Sequence, residues 1–406
     1  MPPNISIRNH GTGYQNVVGG DGPQTNMNGA GTQNNYYGCA AHPKPPKGHE
    51  TESLAPRRDR PSHREDFQIA LICALPLEYD AATLQFDEFW DEDGEQYGRA
   101  PGDTNTYTTG RIGNYNVVLA LLPNMGKAAS AGAAASFRSS YSRLKLAFLV
   151  GVCGGVPGTG ANGAHLGDVV ISKTVLQFDF GRQFPDKFVT KDTIDDNLGR
   201  ANKDIRGLVA SFETQFGRKR LRKKAAEYLR DLQDAADCEG DQYTYQYVGV
   251  AEDKLFPATY RHKHRAPQSC AICEGGSDSY CETAAHSSCA ELNCDEGQLV
   301  RRDRQSRGSG GTEGPKIFIG RIASGDTVMK SGEHRDQLAK QYNVIAFEME
   351  GAGAWDEVPC IIIKGICDYA DSHKNKQWQP FAAATAASVM KAVLGRYAPT
   401  DRPTRA

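Results

Sequence analysis

The sequence has no apolar run long enough to cross a membrane as a helix. Its longest apolar runs have the length of strands and are interrupted by glycines or by Lys364, whereas a spanning helix requires about 20 apolar residues. The N-terminal stretch MPPNISIRNHGTGYQN has no apolar core, so it is not typical of a secretory signal. The net charge is close to zero, at -2 over 406 residues, and charges of both signs are interspersed. This distribution excludes a general attraction to nucleic acid or anionic membranes.

The cysteines give little sign of a secreted, disulfide-stabilised protein. Cys73, Cys153, Cys360 and Cys367 fall inside predicted buried strands or at their ends, where cysteine acts as a small hydrophobic residue. We therefore expect reduced thiols and a cytoplasmic location.

The first 40 residues are low in complexity. A G-x-G-x-Q pattern begins at Gly11, Gly20 and Gly29, and Gly38 stands where a fourth copy would begin. This composition favours a disordered tail. The alternative is an amyloid-like arm, because Gln and Asn side chains can form ladders along a fibril axis.

Composition also predicts the domain boundaries. Residues 1–40 form the repeat arm, and residues 41–65, rich in Pro, Lys, Arg and Glu, form a solvated linker. The globular domain is predicted at residues 66–397, with an insert at 253–307, and residues 398–406 form a tail.

Strand-like and helix-like segments alternate through the globular domain. FQIALICAL and LKLAFLVGVCGGV indicate buried strands, and PLEYDAATL indicates a helix that begins at Pro76. Residues 197–237 predict a long, exposed helical segment. The alternation predicts an α/β fold, a three-layer sandwich around a mixed, largely parallel sheet.

Two acidic residues stand at the ends of predicted buried strands within residues 343–372. VIAFEME ends at Glu350 and PCIIIKGICD at Asp368, and the intervening GAGAW starts a helix whose small residues let backbones pack closely. In open α/β sheets the chemistry lies at the carboxyl ends of such strands, and a charge buried there needs a partner or a ligand. The pair therefore predicts a functional site.

FEMEGAG followed by ICDYAD resembles the paired signature of the nucleoside phosphorylase/nucleosidase superfamily. It is most similar to the methylthioadenosine/S-adenosylhomocysteine nucleosidases and to the related domain at the front of many fungal NOD-like receptors. The resemblance covers about residues 66–397 and implies a nucleoside phosphorylase-like fold. It implies that Glu350 holds the ribose hydroxyls, that Met349 lies against the sugar with Glu348 also in the site, and that Asp368 protonates the purine.

The segment CALPLEYDAA adds a third acid to this resemblance. Glu78 stands where the resembled nucleosidases have the Glu that orients the attacking water, and no arginine follows it. A phosphate nucleophile needs cationic donors, whereas a water nucleophile needs a carboxylate. The alternative is that Glu78 is only a first-turn acid favoured by the helix dipole.

Two further segments match superfamily motifs. Glycines within Val150–Gly158 allow a ligand to approach the backbone, and Ile322–Met329 contains the IASGD string whose following residues pack on the purine in the resembled family. The alternative for the second segment is that its side chains belong to the core. The substrate-binding candidates are Val152, Cys153, Gly154, Thr327, Val328 and Met329.

The insert contains cysteines and histidines that raise the question of zinc. The spacing beyond the Cys270-x2-Cys273 pair is irregular and the composition also fits a surface loop, so we predict no metal in the site. The residues concerned are Cys270, Cys273, Cys281, Cys289, Cys294, His262, His264 and His286.

The start of the insert is basic. Lys254, Arg261, Lys263 and Arg265 form either a solvated loop or a cap for the phosphates of a nucleotide substrate, because clustered cations bind phosphate well. Arg301, Arg302 and Arg304 add cations after the cysteines.

The predicted function is hydrolysis of a purine N-glycosidic bond without metal or organic cofactor. Asp368, Glu78 and Glu350 are its predicted catalytic residues, and ATP or a related nucleotide is the expected substrate of an immune or cell-death effector. Phosphorolysis and a non-catalytic sensing or self-assembling module remain the alternatives. The partners expected are the small-molecule substrate and further copies of the chain, as a homo-oligomer or as a filament through residues 9–38, with no nucleic acid and no membrane.

Overall fold

The structure is a computed structural model. It describes residues 60–92, 94, 96–158, 163–193, 195–267, 270–275, 279–302 and 314–398. The repeat arm, its expected filament segment 9–38, Arg304 and residues 399–406 lie outside the described residues. Among the residues described, no helix is long and apolar enough to cross a membrane.

A mixed nine-stranded sheet forms the centre of the domain, in the order β10-β9-β6-β11-β5-β1-β4-β3-β2. The strands at its centre are almost continuously apolar and buried on both faces, as in sheets covered by helices on both sides. The strands are β1 (Ile69–Cys73), β2 (Glu88–Phe89), β3 (Tyr107–Ile112), β4 (Tyr115–Leu121), β5 (Leu146–Gly155), β6 (Val169–Gln177), β9 (Ile317–Ser324), β10 (Val344–Glu348) and β11 (Cys360–Asp368), while β7 (Gly181–Gln183) and β8 (Phe188–Thr190) form a separate two-stranded sheet.

The sheet curls so that β5, β11, β6, β9 and β10 close into a ring. β1 pairs in parallel with β4 and β5, and β5 pairs in parallel with β11. β10 pairs in parallel with β9 and also antiparallel with β5. This second pairing brings the end of β10 to the end of β5, two segments that the sequence separates by nearly 190 residues.

Helices cover both faces of the sheet. The helices are α1 (Pro76–Thr83), α2 (Lys127–Ser140), α3 (Lys203–Glu213), α4 (Gln215–Glu239), α5 (Ala271–Glu274), α6 (Glu282–His286), α7 (Gly332–Tyr342), α8 (Gly351–Trp355) and α9 (Gln379–Leu394), with 3-10 turns at Arg64–Asp66, Val250–Glu252 and Glu296–Gln298. On one face α9 packs on β5, β6 and β11 and also contacts α1 and α4. On the other face α8 packs on β6 and β11 and contacts α2. The three-layer α/β prediction is confirmed.

The long helical segment predicted at residues 197–237 consists of two helices. Thr214 is extended between α3 and α4, and its hydroxyl accepts a hydrogen bond from the Gly217 N–H at 3.0 Å. This is an N-cap, so the helix restarts instead of continuing. Sequence periodicity does not detect such a break, because both helices keep an apolar face.

Glycines set the closest packing between layers. A Cβ on Gly353 of α8 would meet the carbonyl of Lys127 in α2, and one on Gly365 of β11 would meet the carbonyl of Ala382 in α9. The close backbone packing predicted for the GAGAW segment is therefore observed.

Candidate active site

The carboxyl end of β5 accommodates two of the predicted catalytic acids. A Cβ on Gly151 would overlap the Glu78 carboxylate, and one on Gly154 would lie 2.9 Å from Asp368 Oδ1. Residues without a side chain are therefore required where the two acids pack against this strand. Phe347 of β10 pairs with Gly154, which brings the segment carrying Glu350 to the same edge.

Glu78 is buried, and backbone groups hold its carboxylate. Oε2 accepts the N–H groups of Ala74 (2.9 Å) and Leu75 (3.0 Å) at the start of α1, and Oε1 accepts the N–H of Val152 (2.7 Å). Burial raises the pKa of Glu78, and the nearby Lys364 and these hydrogen bonds oppose that rise. A raised pKa brings a carboxylate closer to the range in which a general base works at neutral pH.

Lys364 also belongs to the site, although it is not among the site residues predicted from the sequence. Its ammonium lies in the interior of β11, 2.9 Å from Glu350 Oε2, and both side chains are buried. Burial by itself would lower the pKa of Lys364, but Glu350, Glu78 and Glu348 outweigh burial and raise it. The available signal was a lysine inside the apolar run CIIIKGICD, because a buried cation needs a carboxylate partner.

Glu348 organises the turn between β10 and α8. It is buried, and its carboxylate accepts the backbone N–H groups of Glu350 (3.0 Å) and Gly351 (2.9 Å). Burial and the neighbouring Glu350 raise its pKa. These hydrogen bonds orient Glu350, so Glu348 acts on the site through its neighbour.

Asp368 ends β11 with its carboxylate almost fully surrounded. Oδ1 accepts the Ala370 N–H at 2.8 Å, and Oδ2 lies 3.2 Å from Lys374 Nζ and 3.3 Å from Cys367 Sγ. Burial would lower the pKa of Lys374, but Asp368 raises it. Lys374 is therefore a charged partner of Asp368 in this structure.

A cavity of about 280 Å³ opens between the insert and the loop after β11. Asp368 lines it from the end of β11 and Lys374 from the loop that follows, and Lys254, Phe256 and His262 line it from the insert. Glu78 and Glu350 do not line this cavity, and both are buried. Asp368 is thus the predicted catalytic residue in contact with the open space.

A family model described as the phosphorylase superfamily matches residues 68–248. Over these residues the chain is similar to the phosphorylase superfamily.

Individual relatives cover different parts of this chain. A nucleotide-binding leucine-rich repeat (NLR)-like protein of Hyaloscypha variabilis is 30% identical over 338 residues, which are 81% of this chain and 29% of that protein. An aminodeoxyfutalosine nucleosidase of Helicobacter pylori is 34% identical over 83 residues, which are 18% of this chain and 36% of the nucleosidase. The matches thus span about a third of the length of these relatives.

Solved structures match over about the same share of the chain as the NLR-like protein. The H. pylori 5'-methylthioadenosine/S-adenosylhomocysteine nucleosidase is 15% identical with a TM-score of 0.45, covering 82% of this chain and 99% of its own. The corresponding enzyme of Streptococcus pneumoniae is 17% identical with a TM-score of 0.46, covering 81% and 98%.

The remaining substrate-binding candidates lie in different surroundings. Met349 and Val152 are half-buried, and Cys153 is buried. Thr327 and Val328 are exposed. Met329 is buried in a small apolar cluster with Phe178, Phe347 and Ala370, so Met329 occupies a core position and Thr327 and Val328 do not.

The basic residues of the insert mostly have partners within the domain. Lys254 lines the cavity and pairs with Glu296 at 2.7 Å, whereas Arg261 pairs with Glu333 at 3.3 Å away from the cavity lining. Lys263 Nζ lies 3.4 Å from the Cys273 carbonyl, and the Arg265 guanidinium lies 4.0 Å from the centre of the Tyr260 ring. Lys254 is therefore the member of the predicted phosphate-binding set that reaches the cavity.

Proposed function

We propose that this protein is a hydrolytic purine N-ribosidase, releasing a free purine base from a nucleoside or nucleotide. The nucleosidase named among its relatives and the match to the phosphorylase-superfamily model support this reaction class. The observation that carries the proposal is the arrangement of Glu78, Asp368 and the Glu350–Lys364 pair around the ends of β5, β10 and β11.

The environment of Glu78 favours water over phosphate as the nucleophile. The N–H groups of Ala74, Leu75 and Val152 would suit an anion, but the Glu78 carboxylate already occupies them. A phosphate there would also meet the nearby Glu350 charge, which already acts on Glu78. A water molecule suffers no such repulsion and can give its proton to Glu78.

In the proposed reaction the bond between C1′ of the ribose and the purine nitrogen breaks, and water supplies the new C1′–OH bond. Asp368 donates a proton or a hydrogen bond to N7 of the departing base, and Glu78 takes the proton lost by water. The transition state resembles an oxocarbenium ion. Glu350, fixed by Lys364 and Glu348, binds the ribose hydroxyls and favours the positive charge that develops on the ring.

In the proposed reaction Lys374 has to move away from Asp368. It holds Asp368 Oδ2 at 3.2 Å, where the leaving base would need the carboxyl group. We expect substrate to displace Lys374 from this oxygen, so that the carboxyl group of Asp368 becomes free to contact the base.

The test is chromatography of purified protein incubated with adenosine, guanosine, inosine, methylthioadenosine and the matching nucleotides. Release of free base with ribose or ribose phosphate, unchanged by inorganic phosphate, is the expected result. Phosphate-dependent formation of ribose-1-phosphate would assign phosphorolysis instead. No base release from any member of the panel would favour the non-catalytic alternative.

We propose a nucleotide such as ATP as the preferred substrate, which would make the chain a nucleotide-depleting effector. The support is the cavity beside Asp368, where Lys254 and Lys374 present cations, and the NLR-like relative fits a role in immunity. Cations of this kind attract phosphate, and salt screens the attraction over about 8–10 Å. ATP should therefore outcompete adenosine, and the advantage should shrink with added salt.

Single substitutions test the phosphate contact. Lys254→Ala should raise KM for ATP and leave KM for adenosine unchanged, while Arg261→Ala, which removes a cation away from the cavity, serves as the matched control. Faster cleavage of adenosine than of ATP in the unmodified protein would refute the preference but leave the hydrolytic proposal intact.

A further inference from the structure

The insert brings its cysteines and histidines together in two groups of four. Within each group the potential ligand atoms all lie within 4.8 Å of one another. The first group is His262, Cys289, Cys294 and His373; the second is His264, Cys270, Cys273 and Cys281. His373 comes from the loop after β11 and His286 belongs to neither group, so residue spacing in the sequence did not reveal these sets.

The first group has the dimensions of a tetrahedral metal site. His262 Nδ1 lies 3.6 Å from Cys289 Sγ and 3.5 Å from Cys294 Sγ, and His373 Nδ1 lies 3.5 Å and 3.9 Å from the same two atoms. Ligands at about 2.3 Å (sulfur) and about 2.0–2.1 Å (nitrogen) around a tetrahedral Zn²⁺ lie about 3.6 Å apart for each sulfur–nitrogen pair. The four distances, from 3.5 to 3.9 Å, are close to that value.

The two histidines of this group are oriented as metal ligands. Nε2 of His262 lies 2.8 Å from the Ser287 carbonyl, and Nε2 of His373 lies 2.8 Å from the Tyr260 carbonyl. Because a carbonyl only accepts, each Nε2 carries the hydrogen and each Nδ1 lone pair faces the sulfurs. Histidines that bind metal almost always donate their other ring N–H in this way.

The second group has similar dimensions with three sulfurs. His264 Nδ1 lies 3.3 Å from Cys273 Sγ and 3.8 Å from Cys281 Sγ. Cys270 Sγ and Cys281 Sγ are 3.9 Å apart, close to the about 3.8 Å expected for two sulfurs on one zinc and well beyond the about 2.05 Å of a disulfide.

From α5 onward, the described residues of the insert form only a small apolar core of their own. This core consists of Cys273, Cys281, Ala284 and Leu292, and α5 and α6 are only 4 and 5 residues long. Isolated helices of this length are not stable in water. Small units with so little core are typically stabilised by disulfides or by a structural metal.

We propose that the insert binds two structural zinc ions, one in each group, and that the first ion fastens the insert to the active-site loop. Cys2His2 and Cys3His sets with four protein ligands are typical of closed, structural zinc sites. His373 precedes Lys374, the partner of Asp368, and the insert is also joined to this loop by a hydrogen bond of 3.1 Å from the His262 N–H to Ser372 Oγ. Zinc would thus hold one wall of the cavity in place.

Metal analysis of the full chain tests the proposal without reference to activity. Protein purified with reductant and without chelator, or reconstituted with Zn²⁺, should contain two zinc ions per chain by mass spectrometry. Zinc-edge X-ray absorption should give five sulfur and three nitrogen ligands over the two ions. A zinc-free protein after reconstitution, or a shell of oxygen and nitrogen alone, would overturn it.

Single cysteine variants separate the two sites. Cys294→Ser and Cys270→Ser should each lower the zinc content from two ions to one, and the double variant should bind none. Cys238→Ser, at an exposed position in α4 outside both groups, is the matched control and should keep both ions. Disulfide bonds among the five cysteines of the two groups, found by mapping the unmodified protein, would overturn the proposal even where a variant fails to fold.

Discussion

Asp368 is the proposed catalytic residue that lines the cavity. Replacing it with Asn keeps the shape and the hydrogen bond from the Ala370 N–H but removes the transferable proton. General acid catalysis contributes about 10²–10⁴-fold, so base release should fall by that factor while the variant still folds. Asp241→Asn, at an exposed position, is the control, and near-normal turnover of the Asp368 variant would remove this residue from the mechanism.

Glu78 should set the acidic limb of the pH–rate profile. Burial raises its pKa and only the ionised form accepts a proton from water, so kcat/KM should fall at a pH above the about 4.3 of a free Glu. The folded state binds this proton more tightly than the unfolded chain, so the contribution of Glu78 to stability declines as pH rises through the raised pKa. Glu78→Gln should have low activity, and its pH–rate profile should lack this fall at low pH. An unaltered profile would contradict the assignment.

The Glu350–Lys364 pair should matter for both stability and turnover. Breaking a buried pair by removing one partner costs about 3–5 kcal/mol because the other charge stays buried and unpaired. Lys364→Met and Glu350→Gln should therefore each lower the melting temperature, and the double variant should recover part of the loss.

Turnover per folded molecule separates the two roles of Glu350. In Glu350→Gln it should fall, since a neutral amide stabilises developing positive charge less well than a carboxylate. A lower melting temperature with full activity per folded molecule would make Glu350 a structural residue only.

At the scale of the element, β5 is the strand against which the site is built. A methyl group on Gly151 would overlap the Glu78 carboxylate, so Gly151→Ala should displace Glu78 and reduce activity as strongly as Glu78→Gln. Gly132 in α2 has nothing within 4 Å of the position of an added Cβ, and Gly132→Ala should stabilise the helix by about 0.5–1 kcal/mol. Equal activity in both variants would show that β5 does not position the acid.

At the scale of the whole molecule, the repeat arm and the globular domain should be separable. A chain that lacks residues 1–40 should retain base release, because the described site involves none of these residues. A peptide of residues 9–38 should form fibres with reflections near 4.7–4.8 Å and about 10 Å. A peptide that stays monomeric at high concentration would return the arm to the disordered alternative.

Light scattering addresses the predicted homo-oligomer in the same experiment. The shortened and full chains should both have a mass that is a multiple of the monomer, which is 44.2 kDa for the full chain. A loss of assembly in the shortened chain alone would assign oligomerisation to the arm.

The sequence by itself determined the layered α/β fold, because buried strands and helices leave local apolar patterns that need no knowledge of distant residues. It also identified Glu350 and Asp368 as candidates, since each ends a predicted buried strand, and the family resemblance added Glu78, although the roles of all three stay predictions. It did not resolve the α3–α4 break, where one capping hydroxyl on Thr214 decides the geometry.

Only the tertiary structure decided which distant residues meet. The β10–β5 pairing brings the end of β10 to the end of β5, where Gly154 lies against Asp368, and burial pairs Lys364 with an acid 14 residues away. His373 joins a cluster whose other members lie 79 to 111 residues earlier in the chain. Contacts over such separations depend on how the sheet closes and the insert packs, and no local periodicity records them.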